Sequence, residues 1–348
     1  MKRGSSTLRA VIGKNVSIQP QPTAQLGDVV AVEVLSINQH YPHLELTDGA
    51  TTPLVVGEQV IGVLGSRQAL RGFVGCVPKT LAEGDELSIL NVGGVIGKFL
   101  DATTALGEAT RVRYLGTLCD ERGIVNLRRD ALPVASHLLR RRPIVLVVGT
   151  CMNVGKTITA AEIIRVATAH GYRVGAAKVS GVGAVRDLKK FEAAGAVDVK
   201  SFLDCGLPST VDADDLAPVV KTIANALDGE LLVFELGDGI FGHYRVDSVL
   251  ADADIMASVA AVVVCAGDLM GAYGARLYLE QLGVRITAFS GLATENISGS
   301  DYLEKHLGIP AINSLKYPEK LYATLDLTGS LLRMATPAVC YTPDVAVA

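Results

Sequence analysis

The sequence predicts an α/β protein in which a small β-rich domain precedes a domain built on a parallel sheet. Three observations carry this. Between residues 28 and 132, short β-rich runs alternate with Asp-Gly, Val-Gly or Pro punctuation. From Ile144 onward the rhythm becomes strand, helix, strand. The first of those strands, "IVLVV", runs into a loop of small residues that ends in Gly-Lys-Thr.

Taken in order, residues 1–25 are polar and turn-rich and are expected to be flexible. Residues 26–140 form the β-rich domain, a barrel or sandwich, with runs such as "DVVAVEVLSI", "EQVIGVLG" and "ELSILNVGGVIG". "RVRYLGTLCDERGIVNLRR" reads as a hairpin turning at Glu121-Arg122-Gly123. "SHLLRRRP" is the linker, and its arginines are read as solvated. Residues 141–335 form the α/β domain and 336–348 a tail.

Within the α/β domain, strands are predicted at 144–148, 173–178, 231–235, 261–266, 285–289 and 311–313. Helices are predicted at 156–170, 185–194, 213–227, 248–258, 271–282 and 300–307. Gly171 ends the first helix, and Asp212 or Asp214 caps the third. Nearly continuous apolar strands alternating with helices imply a parallel sheet covered on both faces.

Composition narrows the function. The chain has 348 residues, 32 basic against 36 acidic side chains and a net charge of −4. Nothing in that balance draws the protein to nucleic acid or an anionic membrane. The expected partner is a small-molecule substrate. The six cysteines are scattered with no C-x-x-C pair, which fits a reducing cytoplasm and disfavours a disulfide or zinc framework. No apolar h-region follows Lys2 and Arg3, so no signal peptide is expected.

In an open parallel sheet, ligands bind beyond the carboxyl ends of the strands, which is where Gly149–Gly155 falls. Its amides would curl round a phosphate at the N-terminus of the following helix. Lys156 would reach the β and γ phosphates, and Thr157 would hold Mg²⁺. The expected cofactor-binding set is Gly149, Thr150, Cys151, Asn153, Val154, Gly155, Lys156, Thr157 and Ile158. The strict G-x-x-x-x-G-K-T spacing asks for glycine at 150, where this chain has Thr150.

"GTxxxVGKT" resembles dethiobiotin synthetase and the related amidotransferase-type cobyrinic acid synthetases. "GYRVGAAKVSGVG" resembles that family's second strand, with Val179 in place of a proline, and "LLVFELGDG" its strand ending in Glu-Gly-Ala-Gly-Gly. The resemblance covers roughly residues 144–315. It implies ATP and Mg²⁺ as cofactors, Lys178 as a phosphate- and substrate-contacting lysine, and Glu235 as a Mg²⁺-linked glutamate. Relatives of this loop class often dimerise, so a homo-oligomer is expected. Cys151 and Asn153 replace two acidic residues of the synthetase, and its chain lacks the β-rich half, so dethiobiotin synthesis itself is not expected. The chain also resembles a P-loop family that includes D-glutamate N-acetyltransferases. Partition and arsenite ATPases carry an extra lysine early in the loop, where this chain has Thr150, Cys151 and Met152.

The expected catalytic residues are Lys156, Lys178 and Glu235. Thr157, Glu235 and Asp187 are the metal candidates, although Asp187 reads equally well as a helix N-terminal acid. Ser180, Asp238 and His243 are substrate candidates; "GDG" at Asp238 also reads as a tight turn. Asp204 and Asp268 share the ambiguity of Asp187. Cys151 reads as a passive small residue, and His40 and His43 as a loop pair lacking a third metal ligand; Arg67 and Arg71 read as an exposed hairpin, with a clamp on an anionic substrate from the β-rich domain as the alternative.

Three functions compete. The first is an ATP- and Mg²⁺-dependent ligase or synthetase that activates a small carboxylate or carbamate by phosphoryl transfer. The second is a transferase whose loop holds the ADP part of acetyl-CoA. The third is a nucleotide-switched binding protein.

Overall fold

The computed structural model describes residues 1–327. The predicted tail, 336–348, lies outside them.

The β-rich half closes on itself. Strands Gln59–Leu64, Val29–Val34, Thr110–Asp120, Glu86–Ile89 and Val95–Ala102 pair in that order. Val95 and Ile96 then pair back in parallel with Val63 and Leu64, which closes a barrel. Closure removes the open edges that a small sheet would otherwise expose. Side chains alternate along each strand. Val30, Val32 and Val34 face inward against Val112, Tyr114 and Ile96. Val29, Ala31, Val63 and Val95 face outward and pack on Phe202, Leu203 and Leu207 of the second half. The two halves therefore share an apolar cluster. The predicted hairpin is present, with Cys119 opposite Ile124 and Asp120 opposite Gly123.

The N-terminal stretch corrects the expectation of flexibility. Lys2 and Arg3 pair in parallel with Val60 and Ile61, and Ser17–Gln19 pairs with Thr117–Cys119. Ser5, Ser6 and Thr7 are fully buried. Their polarity hid this, because hydroxyls can satisfy themselves indoors: Thr7 Oγ1 donates to the Gly4 carbonyl at 2.7 Å.

The second half is a parallel sheet in the order 198–201, 174–180, 231–236, 144–149, 259–265 and 288–290. Helices α1 (Lys156–Ala169), α2 (Arg186–Ala193) and α8 (Pro318–Thr324) cover one face. Helices α3 (Ala217–Ala226), α4 (Val246–Ala251), α5 (Ala253–Met256), α6 (Leu269–Gln281) and α7 (Ile297–Leu307) cover the other. The strand 144–149 shows why its sequence is apolar throughout: Ile144, Leu146 and Val148 feed one core, Val145 and Val147 the other.

Several boundaries differ from expectation. The strand Asp198–Ser201 and helix α8 were not anticipated. Residues 311–313 contribute a single bridge, Ala311 to Phe289, instead of a strand. The helix expected at 248–258 is two, because Asp252 accepts from Ile255 N at 2.9 Å and starts a new one. Neither Asp212 nor Asp214 caps α3. Residues 210–212 form a tight turn, and Asp212 instead accepts from Ser66 N across the two halves at 3.0 Å.

One tie between the halves bears directly on the site. Helix α2 has no side-chain cap of its own. Glu45, from the β-rich half and 1 % exposed, accepts from Val185 N at 2.6 Å and Arg186 N at 3.3 Å. It also accepts from Ser5 Oγ. A carboxylate here answers both the orphan amides and the positive end of the helix. Glu45→Ala is expected to destabilise the protein by about 2–3 kcal/mol, the cost of leaving such donors buried and unpaired. Urea unfolding midpoints check this.

Candidate functional site

The loop between the strand 144–149 and helix α1 has an open interior. Cys151, Met152, Asn153, Val154 and Gly155 donate their amides to no acceptor among the described residues. Asn153 and Gly155 take left-handed backbone, φ 62° and 96°, which turns successive amides the same way. This is a P-loop.

The displaced glycine has a physical explanation. Thr150 is not in the left-handed region, so it needs no glycine. Its N–H donates to the Cys265 carbonyl at 3.0 Å, and its Oγ1 accepts from Gly267 N at 3.1 Å. A Cβ at Gly149 would lie 2.9 Å from Lys156 Cδ, so a side chain there would displace the lysine. Gly291, at φ 80°, lets the end of the strand 288–290 press on the loop; a Cβ there would sit 2.2 Å from the Val154 carbonyl.

Lys156 folds back and donates to the Cys151 carbonyl at 2.7 Å. It is 5 % exposed, and burial lowers its pKa although Glu235 nearby pulls it up.

Strand alternation sets the next layer. Val174 and Ala176, like Leu231 and Val233, face the α1 side. Two residues further on, Lys178 and Glu235 face it too, directly abreast in the register. Thr157 Oγ1 donates to Glu235 Oε1 at 3.1 Å. Lys178 Nζ lies 3.8 Å from the same oxygen and is paired closely with Asp187. Burial drives Glu235 upward in pKa, only partly opposed by Lys178. Burial also pushes Asp187 upward, but the Lys178 ammonium outweighs it and leaves that carboxyl below its ordinary value. Glu235 Oε2 is buried with no hydrogen-bond partner.

These groups line a cavity of about 480 Å³, within the usual range for small-molecule sites. Its far wall comes from the β-rich half: Tyr41, Arg67, Asn91 and Val92.

The structure thus gathers Lys156, Thr157, Lys178, Asp187, Glu235, Asp238 and the loop in one place. Asp187 serves here as the partner of Lys178 instead of standing free for a metal. Asp238 has left-handed backbone at φ 64° and lines the cavity, and burial raises its carboxyl. Two substrate candidates are not brought in. Ser180 is fully buried and donates to the Gly237 carbonyl at 3.0 Å, tying two strands together. His243 is exposed and lies off the cavity, whose wall is formed by its neighbour Tyr244. Asp268 caps α6, and Asp204 completes a capping box and pairs with Arg9 at 2.8 Å. No His/Cys/Asp/Glu cluster able to hold a metal occurs among the described residues, at His40 and His43 or elsewhere. Arg67, read as exposed, is buried in the cavity wall; Arg71 is exposed as expected. Among the described residues, no helix is long and apolar enough to cross a membrane.

No protein-family model matches the chain, and no curated protein matches it in sequence. Solved structures are similar to part of it. One is the signal recognition particle 54 kDa protein of Aeropyrum pernix K1, in complex with GDP: 18% identity over 57% of this chain and 50% of that one, TM-score 0.35. Another is a nucleotide-binding protein of Archaeoglobus fulgidus in complex with ADP: 12% identity, 54% and 90% coverage, TM-score 0.36. A third is a DUF1611 family protein of Anabaena variabilis ATCC 29413: 14% identity, 58% and 63% coverage, TM-score 0.38. The chain thus spans about half the length of the first of these. Likeness at this level is partial, and the chemistry below rests on this chain's own residues.

Proposed function

We propose that the cavity is the active site of an ATP- and Mg²⁺-dependent enzyme that activates a small-molecule carboxylate or carbamate by phosphoryl transfer. The supporting observation is the run of acceptorless amides at Cys151–Gly155, closed by the Lys156 ammonium. Such an arrangement fits a polyphosphate.

Thr157 Oγ1 and the orphaned Glu235 Oε2 are suited to Mg²⁺, which binds through few protein ligands and mostly through water and phosphate oxygens. Bound there, the ion would neutralise charge on the transferred group. Lys156 holds the phosphate chain in place. Lys178, fixed by Asp187 and Glu235, presents a charge that cannot be lost near neutral pH and can steady a transferring phosphoryl group. The β-rich wall excludes water from the far side.

A second reading is favoured by Asp238, a half-buried carboxylate lining the cavity whose pKa is raised by partial burial. Such a group is suited to take a proton from a substrate amine, as acyl transfer from acetyl-CoA requires. In that reading the loop holds the ADP part of the coenzyme.

Incubation with Mg²⁺, ATP and a range of amino acids and other carboxylates separates the two. ADP release that depends on one carboxylate supports the first reading. Free thiol from acetyl-CoA with no nucleotide cleavage transfers the conclusion to the second. If neither appears and neither compound binds, both readings are lost. In the acyl-transfer reaction the rate is expected to climb as pH rises through a value above the ordinary aspartate pKa of about 4. Asp238→Asn should abolish that limb of the pH profile.

A further inference from the structure

The far wall of the cavity contains a cation that makes no contact ion pair, although Asp238, which lines the same cavity, feels its charge. Arg67 comes from the β-rich half and is 6 % exposed. Its Nη1 donates to the Leu90 carbonyl, while its buried Nε has no partner. No carboxylate of the described residues pairs with it. Other arginines at the edge of the barrel are matched differently: Arg129 meets Asp120 at 2.7 Å.

The guanidinium is also held in place before any ligand arrives. Its Cζ lies 5.8 Å from the centre of the Phe73 ring. Gly72 leaves room for it, since a Cβ there would lie 2.8 Å from Nη2. A buried unpaired cation is costly unless a partner is supplied. The neighbouring cations are already committed. Lys178 is taken by Asp187 and Glu235, and Lys156 closes the P-loop. Arg186 and Lys190 are exposed at the rim. Lys156 is buried too but sits at the P-loop; on the far wall, among the described residues, Arg67 is the buried cation that makes no ion pair.

We propose that Arg67 seats an acid group, a carboxylate, carried by the small-molecule substrate at the end away from the P-loop. The planar fork of donors suits a carboxylate held by two hydrogen bonds. The proposal deepens the functional reading above and rests on it for the identity of the cavity as an active site. A phosphate of the bound nucleotide is the other source of an anion, and the experiment tells the two apart.

The test uses the full chain as wild type, Arg67→Gln and Arg67→Lys. Each is titrated with C2–C6 plain, hydroxy and amino carboxylic acids and with their matching primary amides, with and without ATP and Mg²⁺. Calorimetry or thermal shift supplies the readout. In the wild type at least one acid should bind tenfold or more tighter than its amide. Arg67→Gln should erase that preference, and Arg67→Lys should weaken the acid several-fold while leaving the amide unchanged. ATP affinity should be the same in all three. The proposal is overturned if no acid outbinds its amide, if Arg67→Gln binds the acid as well as the wild type, or if the substitution weakens ATP instead. Should Arg67→Gln fail to fold, Arg67→Lys decides on the same criteria. Failure of the wild type to bind ATP would remove the functional reading, while acid binding measured without nucleotide would still stand or fall by itself.

Discussion

Lys156→Ala is expected to lower ATP affinity about a hundredfold or more while leaving the fold intact. The ammonium is almost wholly buried, yet its hydrogen bond goes to a loop carbonyl and not to a carboxylate. Its charge is therefore available to a phosphate chain that enters the loop. Two charge-assisted hydrogen bonds of about 1.5 kcal/mol each amount to roughly two orders of magnitude in binding. The fold should tolerate the change, because alanine suits the first turn of a helix. Titration with a fluorescent nucleotide, alongside circular dichroism, measures both. Unchanged affinity for both ATP and coenzyme A in a folded sample would end the P-loop interpretation.

The largest effect on stability is expected at Lys178. Replacing it with Met leaves two buried carboxylates facing one another with no cation between them. Breaking a buried ionic cluster in this way costs about 3–5 kcal/mol. Adding Asp187→Asn should restore a good part of that loss, since the remaining acid then has no like charge beside it. Denaturant unfolding of the wild type, the single variants and the double variant closes the cycle.

The same variants should differ in how stability depends on pH. In the wild type Asp187 lies below its ordinary pKa. Its contribution is present above the unfolded value of about 4 and is lost as pH falls through the lower folded value. In Lys178→Met, burial acts on Asp187 against only the weaker pull of Arg186 and Lys190, and its folded pKa is expected to rise above the unfolded one. Stability should then decline as pH rises through that window. A reversal of slope between the two proteins is the expected signature. Parallel slopes would mean that Lys178 and Asp187 are not electrostatically linked.

Much of the site was legible because it is local. Gly155-Lys156-Thr157 follows a strand directly, and period-two alternation places Lys178 and Glu235 at strand ends on one face. The resemblance to dethiobiotin synthetase pointed at the same residues. Single-residue offsets were not legible: His243 and Tyr244 are adjacent, but only Tyr244 reaches the cavity. Ser180 carried the right chemistry, yet its hydroxyl is used to tie strand to strand.

The chain by itself determined the elements and the loop. Apolar periodicity and glycine placement act over a few residues, and the backbone obeys them wherever it lies. What only the tertiary structure decided is which distant groups share a space. Arg67 and Glu45 reach the P-loop half only because the barrel's outer face packs on Phe202, Leu203 and Leu207. Residues 4–7 are buried for the same kind of reason: Lys2 and Arg3 pair with Val60 and Ile61, the stretch of that strand which the closing pair at Val63 and Leu64 leaves uncovered. Contacts such as Ser66 with Asp212 or Glu45 with Val185 join residues 146 and 140 positions apart. No local pattern encodes such a pairing, because burial and charge matching are properties of the assembled surface.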